Sequence, residues 1–126
     1  TMVRENPLDS SLRHIFSTKG QEFLPYERDG KSIPSMSWFP LSADAKLGRA
    51  GRYLLKLDPG TQGPLHNHGG YDEFFVLEGS IIDSDGTRVG PGDYVMYEPG
   101  SIHFTDTPEG CVVLITKVDN NDLFDE

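Results

Sequence analysis

The residues best suited to chemistry lie in the segment 60–79, where His66 and His68 are separated by a single residue. In a strand, side chains at this spacing leave the same face roughly 7 Å apart, which allows both imidazoles to reach one metal ion. A Gly-Gly pair then predicts a tight turn, and the run DEFFVLE predicts the next strand. Two imidazoles and a carboxylate suit iron(II), zinc, manganese or nickel. A pair of exposed loop histidines beside a solvated acidic turn would show the same pattern.

A third histidine ends a second segment, GDYVMYEPGSIH, which covers residues 92–103. A strand and then a Pro-Gly turn are predicted immediately before His103. With both segments present, the chain resembles the cupin superfamily. The first cupin block reads Gly, five residues, His-x-His, three or four residues, an acid, six residues and Gly. The second reads Gly-Asp, a short strand, Pro-x-Gly, two residues and His. Glu98 stands where that proline is usual, and Pro99 follows it.

The residue pattern of segment 64–103, together with the later segment EGCVVLITK, resembles the sequences of the ChrR-like cupins. This subgroup includes acetylacetone-dioxygenase-type enzymes. The resemblance implies that His66, His68, His103 and an acid hold one divalent ion per chain. Counting back from Gly79 across six intervening residues gives Asp72, and strand alternation places Asp72 and Glu73 on opposite faces. Asp72 is therefore the predicted acid, and a register slip of one residue would substitute Glu73. Asp is one methylene shorter than the family's usual Glu, so coordination directly or through water is left open.

The predicted fold is all-β, because short strands alternate with Gly, Pro and Asp turns from residue 35 onwards. The resemblance makes this a cupin double-stranded β-helix, that is, a jelly-roll barrel in a single domain. We assign residues 1–34 to an N-terminal arm with one possible edge strand, 35–118 to the barrel and 119–126 to an acidic tail. Within the barrel, strands are predicted at 35–40 and 50–58, and the loop between them could close as one helical turn.

Aromatic side chains on the barrel strands are the predicted wall of a substrate pocket, where they would exclude water. These are Tyr53, Phe74, Tyr97, Phe104 and Trp38. Core packing is the competing interpretation for each of them, and it is favoured for Trp38.

The composition excludes several functions. Eleven basic and 20 acidic side chains give a net charge of −9, which disfavours nucleic acid and anionic membranes as partners. The lone Cys111 cannot form an internal disulfide, and its apolar neighbours predict a buried thiol rather than a nucleophile. With no signal peptide and no apolar run near 18 residues, the sequence predicts a cytoplasmic protein.

Two functions fit these features. In the favoured one, the chain is a small metalloenzyme of the non-haem dioxygenase type that acts on a diketone or enol-like substrate. The alternative is a non-catalytic module that senses a ligand or metal, as the resemblance to ChrR-type anti-sigma regulators implies. Those regulators carry a helical zinc-binding domain before the cupin, and the 34 residues here show neither cysteine nor helical period. A homodimer formed through the face of Phe75 and Leu77 is also expected.

Overall fold

The computed structural model describes residues 3–28, 30–42 and 51–117, together with the backbone of Leu123–Phe124. Within these residues the regular structure is strand, apart from one 3-10 turn at Ser10–Leu12. The strands are β1 Leu24–Arg28, β2 Lys31–Pro40, β3 Gly51–Leu57, β4 Thr61–Gln62, β5 His66–Asn67, β6 Asp72–Gly79, β7 Ile81–Asp83, β8 Arg88–Val89, β9 Tyr94–Tyr97, β10 Ile102–His103, β11 Thr105–Thr107, β12 Cys111–Lys117 and β13 Leu123–Phe124. The predicted all-β class is confirmed.

Six strands form one antiparallel sheet in the order β1-β2-β3-β12-β6-β9. At its centre, β12 has the sequence CVVLITK and alternates between buried and half-buried residues along its whole length. This period of two is what a strand with one face on a core requires. Its neighbours β3 and β6 pair with it from Cys111 to Lys117, and β6 has one register irregularity near Val112. The sheet therefore presents one continuous inner face.

Two smaller sheets complete the fold, with orders β4-β11-β7-β8 and β10-β5-β13. Ile81 of β7 joins the hydrophobic core that the inner face of the large sheet provides. Within that core, Trp38 and Tyr53 meet edge to face with ring centroids 5.7 Å apart. Val76 and Val113 are almost completely buried. The two short strands β5 and β10 carry the histidine motifs and pair within the three-stranded sheet. This sheet therefore brings the two motifs together.

The first strands of the large sheet begin before residue 35. β1 pairs with β2 at the edge of the sheet, and β2 starts at Lys31 rather than at the predicted residue 35. Upstream, Phe16 and Phe23 lie against Phe39, with ring centroids 6.1 and 5.7 Å apart. The segment before β1 thus contacts the large sheet through the rings of Phe16 and Phe23.

Two predicted segments fall largely outside the described residues. The predicted helical turn between β2 and β3 lies mostly in residues 43–50, and the acidic tail is described only at the backbone of β13. There, Leu123 pairs with Asn67 and Phe124 with His66. Across the described residues, no helix has the length and hydropathy needed to cross a membrane.

Candidate metal centre

Three histidines meet at one point inside the fold. β5 and β10 pair antiparallel with His66 directly opposite His103. Beyond that pair, the His68 N–H donates to the carbonyl of Ser101 over 2.9 Å, and the Gly100 N–H donates to the carbonyl of His68 over 2.8 Å. These backbone bonds join the two histidine motifs. As predicted from the sequence, the motifs are brought together.

The histidine rings are close enough to share an ion. Ring centroids are 4.4 Å apart for His66 and His68, 4.8 Å for His66 and His103, and 4.9 Å for His68 and His103. One nitrogen from each ring lies within 4.8 Å of the others. Nitrogens that share an ion at about 2.1 Å are at most roughly 4.2 Å apart, so a small inward movement of the rings completes the site. His68 and His103 are buried, and His66 is half-buried.

Each histidine presents its Nδ1 atom to an oxygen acceptor. Nδ1 of His66 lies 3.0 Å from the Pro64 carbonyl oxygen, and that of His103 lies 2.9 Å from Asp83 Oδ1. Nδ1 of His68 lies 3.1 Å from Asp72 Oδ2, which is ion-pair distance. A carbonyl or an ionised carboxylate only accepts, so the hydrogen bonds of His66 and His103 favour a proton on Nδ1, whereas the His68 contact is an ion-pair distance without hydrogen-bond geometry. Nε2 is then the nitrogen that carries the lone pair for an ion, an outer-shell arrangement typical of metal-binding histidines.

Asp72 and Glu73 lie on opposite faces of β6. Asp72 lines the cavity beside the histidines and contacts His68, with 13% of its side chain exposed. Glu73 accepts a hydrogen bond from the Tyr94 hydroxyl on the other face. Asp72, the predicted acid, therefore lies on the inner face of β6. Within the described residues, however, the close group of donor atoms contains only the three histidines. Direct coordination by Asp72 remains a prediction.

Asp83 is a site residue that the sequence reasoning missed. It ends β7, and its carboxylate accepts hydrogen bonds from Nδ1 of His103, the Tyr97 hydroxyl at 2.6 Å, and the N–H and hydroxyl of Ser84 at 2.7 and 3.4 Å. Burial acts to raise the pKa of Asp83, but the bonds from Tyr97, His103 and Ser84 outweigh it and hold the pKa below its ordinary value. In the sequence, Asp83 is the last residue of the segment SIID before the SDG turn, and neither feature signals a contact with His103.

Tyr97 packs directly on the histidines. Its ring stacks on His68 with centroids 5.1 Å apart and planes 9° apart, and it lies 4.2 Å from the ring of His103. Burial, followed by the hydrogen bond to the Asp83 carboxylate, raises the pKa of Tyr97 well above its ordinary value. Tyr97 therefore stays protonated at neutral pH and donates to Asp83.

A cavity of about 110 Å³ opens beside the histidines. Tyr53, Phe74 and Tyr97, three of the five predicted wall residues, line it. Two other predicted wall residues do not line it. Trp38 is 6% exposed and lies behind Tyr53 in the core. Phe104 is 42% exposed and borders a separate outer cleft, because it follows His103 on the chain and neighbouring strand residues face opposite sides. Trp38 and Phe104 therefore lie away from this cavity, and contact of any of the five aromatic residues with a substrate stays a prediction.

Cys111 lies in the core, 5% exposed. Burial raises the pKa of its thiol, so the reactive thiolate is disfavoured at neutral pH. This matches the prediction of a buried, unreactive thiol.

Comparison with known proteins defines the class of this fold and site. The chain superposes on solved structures of the cupin fold, which confirms the predicted jelly-roll class. A protein of unknown function with a cupin-like fold from Ralstonia eutropha is 24% identical, with a TM-score of 0.65, over 86% of this chain and 69% of that one. An acetylacetone dioxygenase from Acinetobacter johnsonii is 15% identical, with a TM-score of 0.65, over 98% of this chain and 80% of that one. At such identities the likeness concerns the fold.

The sequence also matches one particular family within the cupin fold. The profile of the ChrR Cupin-like domain matches residues 14–120, so the chain belongs to the ChrR-like cupin family. The anti-sigma protein ChrR from Rhodobacter sphaeroides, solved in complex with SigE, is 24% identical, with a TM-score of 0.53. That match covers 64% of this chain and 43% of that one. None of the curated proteins matches the chain in sequence.

Proposed function

We propose that this protein is a metal-dependent enzyme of the non-haem dioxygenase type that acts on a small diketone or enol-like substrate. It holds one divalent ion per chain, which is iron(II), zinc, manganese or nickel. The observation that carries the proposal is the convergence of three histidines, each with Nδ1 against an oxygen acceptor, on a small lined cavity. Three nitrogen ligands leave coordination positions open, as catalytic centres require, whereas structural zinc sites are closed.

Each residue of the site has a role in this proposal. His66, His68 and His103 bind the ion through Nε2, and Asp72 is the fourth group, either directly or through water. The bound ion would act as a Lewis acid or, as iron(II), would bind dioxygen beside a chelating substrate. Tyr97 packs against the rings of His68 and His103 and limits the access of water to the centre.

Tyr53 and Phe74 form the aromatic part of the cavity wall on the large sheet. Apolar residues such as Met36, Val113 and Ile115 continue that wall. A substrate with two adjacent oxygens can therefore place its carbon skeleton against apolar surface while its oxygens reach the ion. Exclusion of water from such a site strengthens the electrostatic interactions inside it.

The second candidate function is a non-catalytic module that senses a ligand or a metal. It is favoured by the family itself, which takes its name from ChrR, and by the structural match to ChrR in complex with a sigma factor. In that role the same histidines would bind an ion without turnover. The two functions differ in one observable, which is consumption of dioxygen with substrate.

The test begins with metal analysis of protein purified without a His tag. Oxygen uptake is then measured after loading with iron(II), against acetylacetone, other β-diketones and hydroxyacetophenones. Uptake that depends on both iron(II) and substrate, and that is lost in His66→Ala, supports the enzyme. Stoichiometric metal without uptake supports the sensing module, and protein that binds no ion contradicts the enzyme and the metal-sensing form of the module.

A homodimer and a cytoplasmic location remain predictions. For the dimer, the support is an apolar patch on the outer face of β6 and β9. Phe75, Leu77, Tyr94 and Met96 are 39%, 43%, 57% and 44% exposed there. Phe75 and Tyr94 are direct cross-strand partners, so the patch is continuous. β9 is also an edge strand of the large sheet, and edges are a common place for a second copy to pack.

A further inference from the structure

The carboxylate of Asp83 links two of the three histidines of the candidate metal centre. Its Oδ1 atom lies 2.9 Å from Nδ1 of His103, and its Oδ2 atom accepts a hydrogen bond from the Tyr97 hydroxyl over 2.6 Å. The ring of Tyr97 in turn stacks on His68, with the two planes 9° apart. One side chain therefore contacts His103 directly and reaches His68 through Tyr97.

These contacts join all three sheets of the fold. Asp83 ends β7 in the four-stranded sheet, Tyr97 ends β9 in the six-stranded sheet, and His103 ends β10 in the three-stranded sheet. Backbone hydrogen bonds fix the register of strands within a sheet. The relative position of separate sheets depends instead on side-chain contacts between them. Asp83 makes a hydrogen bond to each of the other two sheets, at the place where the histidines meet.

Tyr97 is held at both ends of its side chain. At the backbone it is the direct cross-strand partner of Asp72, the residue that contacts His68. Its ring lies between His68 and His103, with centroids 5.1 and 4.2 Å away. Stacking alone leaves a ring free to tilt, whereas the hydrogen bond to Asp83 fixes the hydroxyl end. The orientation of the ring therefore depends on Asp83.

Ring orientation matters at a metal centre, because such a site must be held within about 0.5 Å and 10–20° of its productive geometry. An imidazole rotates about its side-chain bonds, so a bond at Nδ1 fixes the direction of Nε2. His103 has that bond to Asp83. For His68, the contact with Asp72 is at ion-pair distance, and the stacked ring of Tyr97 restricts rotation as well.

We infer that Asp83 and Tyr97 form one positioning unit, which fixes the orientation of His103 and His68 toward the ion. This inference rests on the proposed metal centre. Neither residue binds the ion in this role, so both are positioning residues and not catalytic ones. Because one hydrogen bond connects the two side chains, the unit is expected to fail as a whole when that bond is removed from either end.

The test measures cobalt(II) affinity and the visible absorption spectrum of the bound ion, whose bands depend on ligand geometry. Tyr97→Phe keeps the ring and removes the hydroxyl, so we expect about threefold to tenfold weaker binding and a changed spectrum. Asp83→Ala removes both bonds and should weaken binding about 10- to 100-fold. Asp83→Asn keeps one accepting oxygen and should fall between the wild type and Asp83→Ala.

The double variant Asp83→Ala, Tyr97→Phe tests whether the two residues are one unit. Both substitutions remove the same hydrogen bond, so the double variant should bind cobalt(II) no more weakly than Asp83→Ala alone. Independent effects would multiply. A purely structural role would lower the unfolding free energy of the metal-free protein and leave affinity and spectrum unchanged.

Tyr94→Phe is the matched control, because Tyr94 lies on the same strand and its hydroxyl donates to the Glu73 carboxylate on the outer face. It should leave affinity and spectrum unchanged. Multiplied effects in the double variant, or a Tyr97→Phe that behaves like Tyr94→Phe, overturn the inference while the metal centre stands. If Asp83→Ala does not fold, the comparison of Tyr97→Phe with Tyr94→Phe decides. A wild type that binds no cobalt(II) overturns both the inference and the metal centre.

Discussion

At the scale of single residues, His103 tests whether the two histidine motifs form one centre. It faces His66 across a strand pair, and its Nδ1 is held by Asp83. We expect His103→Ala to lose stoichiometric binding of divalent ions, with an affinity loss larger than the roughly 10- to 100-fold that outer-shell changes cause. Metal analysis after dialysis measures it. His14→Ala, in the exposed N-terminal segment, is the control. Full occupancy in His103→Ala would show that the centre does not need both motifs.

Asp72 and Glu73 make a second comparison within one strand. Asp72 contacts His68 on the inner face, whereas Glu73 bonds to Tyr94 on the outer face. We expect Asp72→Ala to weaken metal binding about 10- to 100-fold, whether the carboxylate binds the ion or orients His68. Glu73→Ala should leave the affinity unchanged. Competition with a chromophoric chelator gives both affinities, and the reverse order would place the functional acid on the other face of β6.

The contribution of Asp83 to the free energy of unfolding is expected to depend on pH. Asp83→Asn removes the charged acceptor of the His103 and Tyr97 bonds, so we expect a loss of about 1–3 kcal/mol of unfolding free energy at pH 7. The pKa of Asp83 in the folded protein lies below its ordinary value of 3.8. Its carboxylate therefore stabilises the fold above that value, and the contribution disappears as the pH falls through the folded pKa.

The measurement is chemical denaturation of wild type and Asp83→Asn at pH 7 and near pH 3. The difference in unfolding free energy should be largest at pH 7 and smaller near pH 3. Asp85→Asn is the control, because Asp85 is exposed and its carboxylate accepts a local bond from the Thr87 N–H, two residues along the chain. A difference that grows on acidification would mean that the Asp83 carboxylate does not stabilise the fold.

At the scale of elements, the turn between β6 and β7 positions β7, whose last residue is Asp83, beside the histidines. Gly79 sits there with φ at 75°, and a Cβ on it would lie 1.9 Å from the Gly110 carbonyl oxygen. Neither the backbone angle nor the space accepts a side chain. We expect Gly79→Ala to lose about 3 kcal/mol or more of unfolding free energy.

Gly86→Ala is the matched control for that turn. Gly86 also has a positive φ of 89°, but nothing lies within 4 Å of its added Cβ. Its cost should therefore be the backbone penalty alone, about 1 kcal/mol. Thermal melts of both variants measure the comparison. Equal losses of unfolding free energy in the two variants would show that the backbone moves away from the close contact between Gly79 and Gly110 without cost.

Strand alternation explains why some of the predicted wall residues line the cavity and others do not. His103 and Phe104 are adjacent, so one faces the centre and the other faces outward. The same rule correctly separates Asp72 from Glu73. For Trp38, alternation predicts that the side chain lies on the inner face of β2. It does not predict how deeply the side chain is buried, and Trp38 packs in the core against Tyr53. Periodicity therefore fixes the face of a residue, while neighbouring strands decide whether that face meets a cavity or the core.

At the scale of the whole molecule, the outer patch of β6 and β9 predicts assembly. If two copies pair through Phe75, Leu77, Tyr94 and Met96, light scattering at micromolar concentration should give twice the 14.0 kDa mass of one chain. Phe75→Lys should shift the protein to monomer, because it places a charge in the centre of an apolar interface. Leu12→Lys, at a 77% exposed position in the N-terminal segment, is the control. A wild-type mass of one chain would remove the homodimer.

The sequence by itself determined the strand-rich fold, the three histidines and the inward acid. Local spacing predicts the strands, the pairing of His66 with His68 and the inner face for Asp72, whereas the grouping of His103 with the other two histidines follows from the resemblance to the two cupin blocks. The spacing signals need only neighbouring residues, because they depend on the direction in which each strand residue points.

Only the tertiary structure decided the surroundings of those histidines. Asp83 meets His103 across 20 residues of sequence, through the pairing of β7 with β11. Tyr97 meets Asp83 across 14 residues of sequence. In sequence these residues are an aspartate before a turn and an aromatic residue in a strand. Their roles depend on which strands pair and in which register, and that is fixed by the burial of the whole core rather than by any one segment.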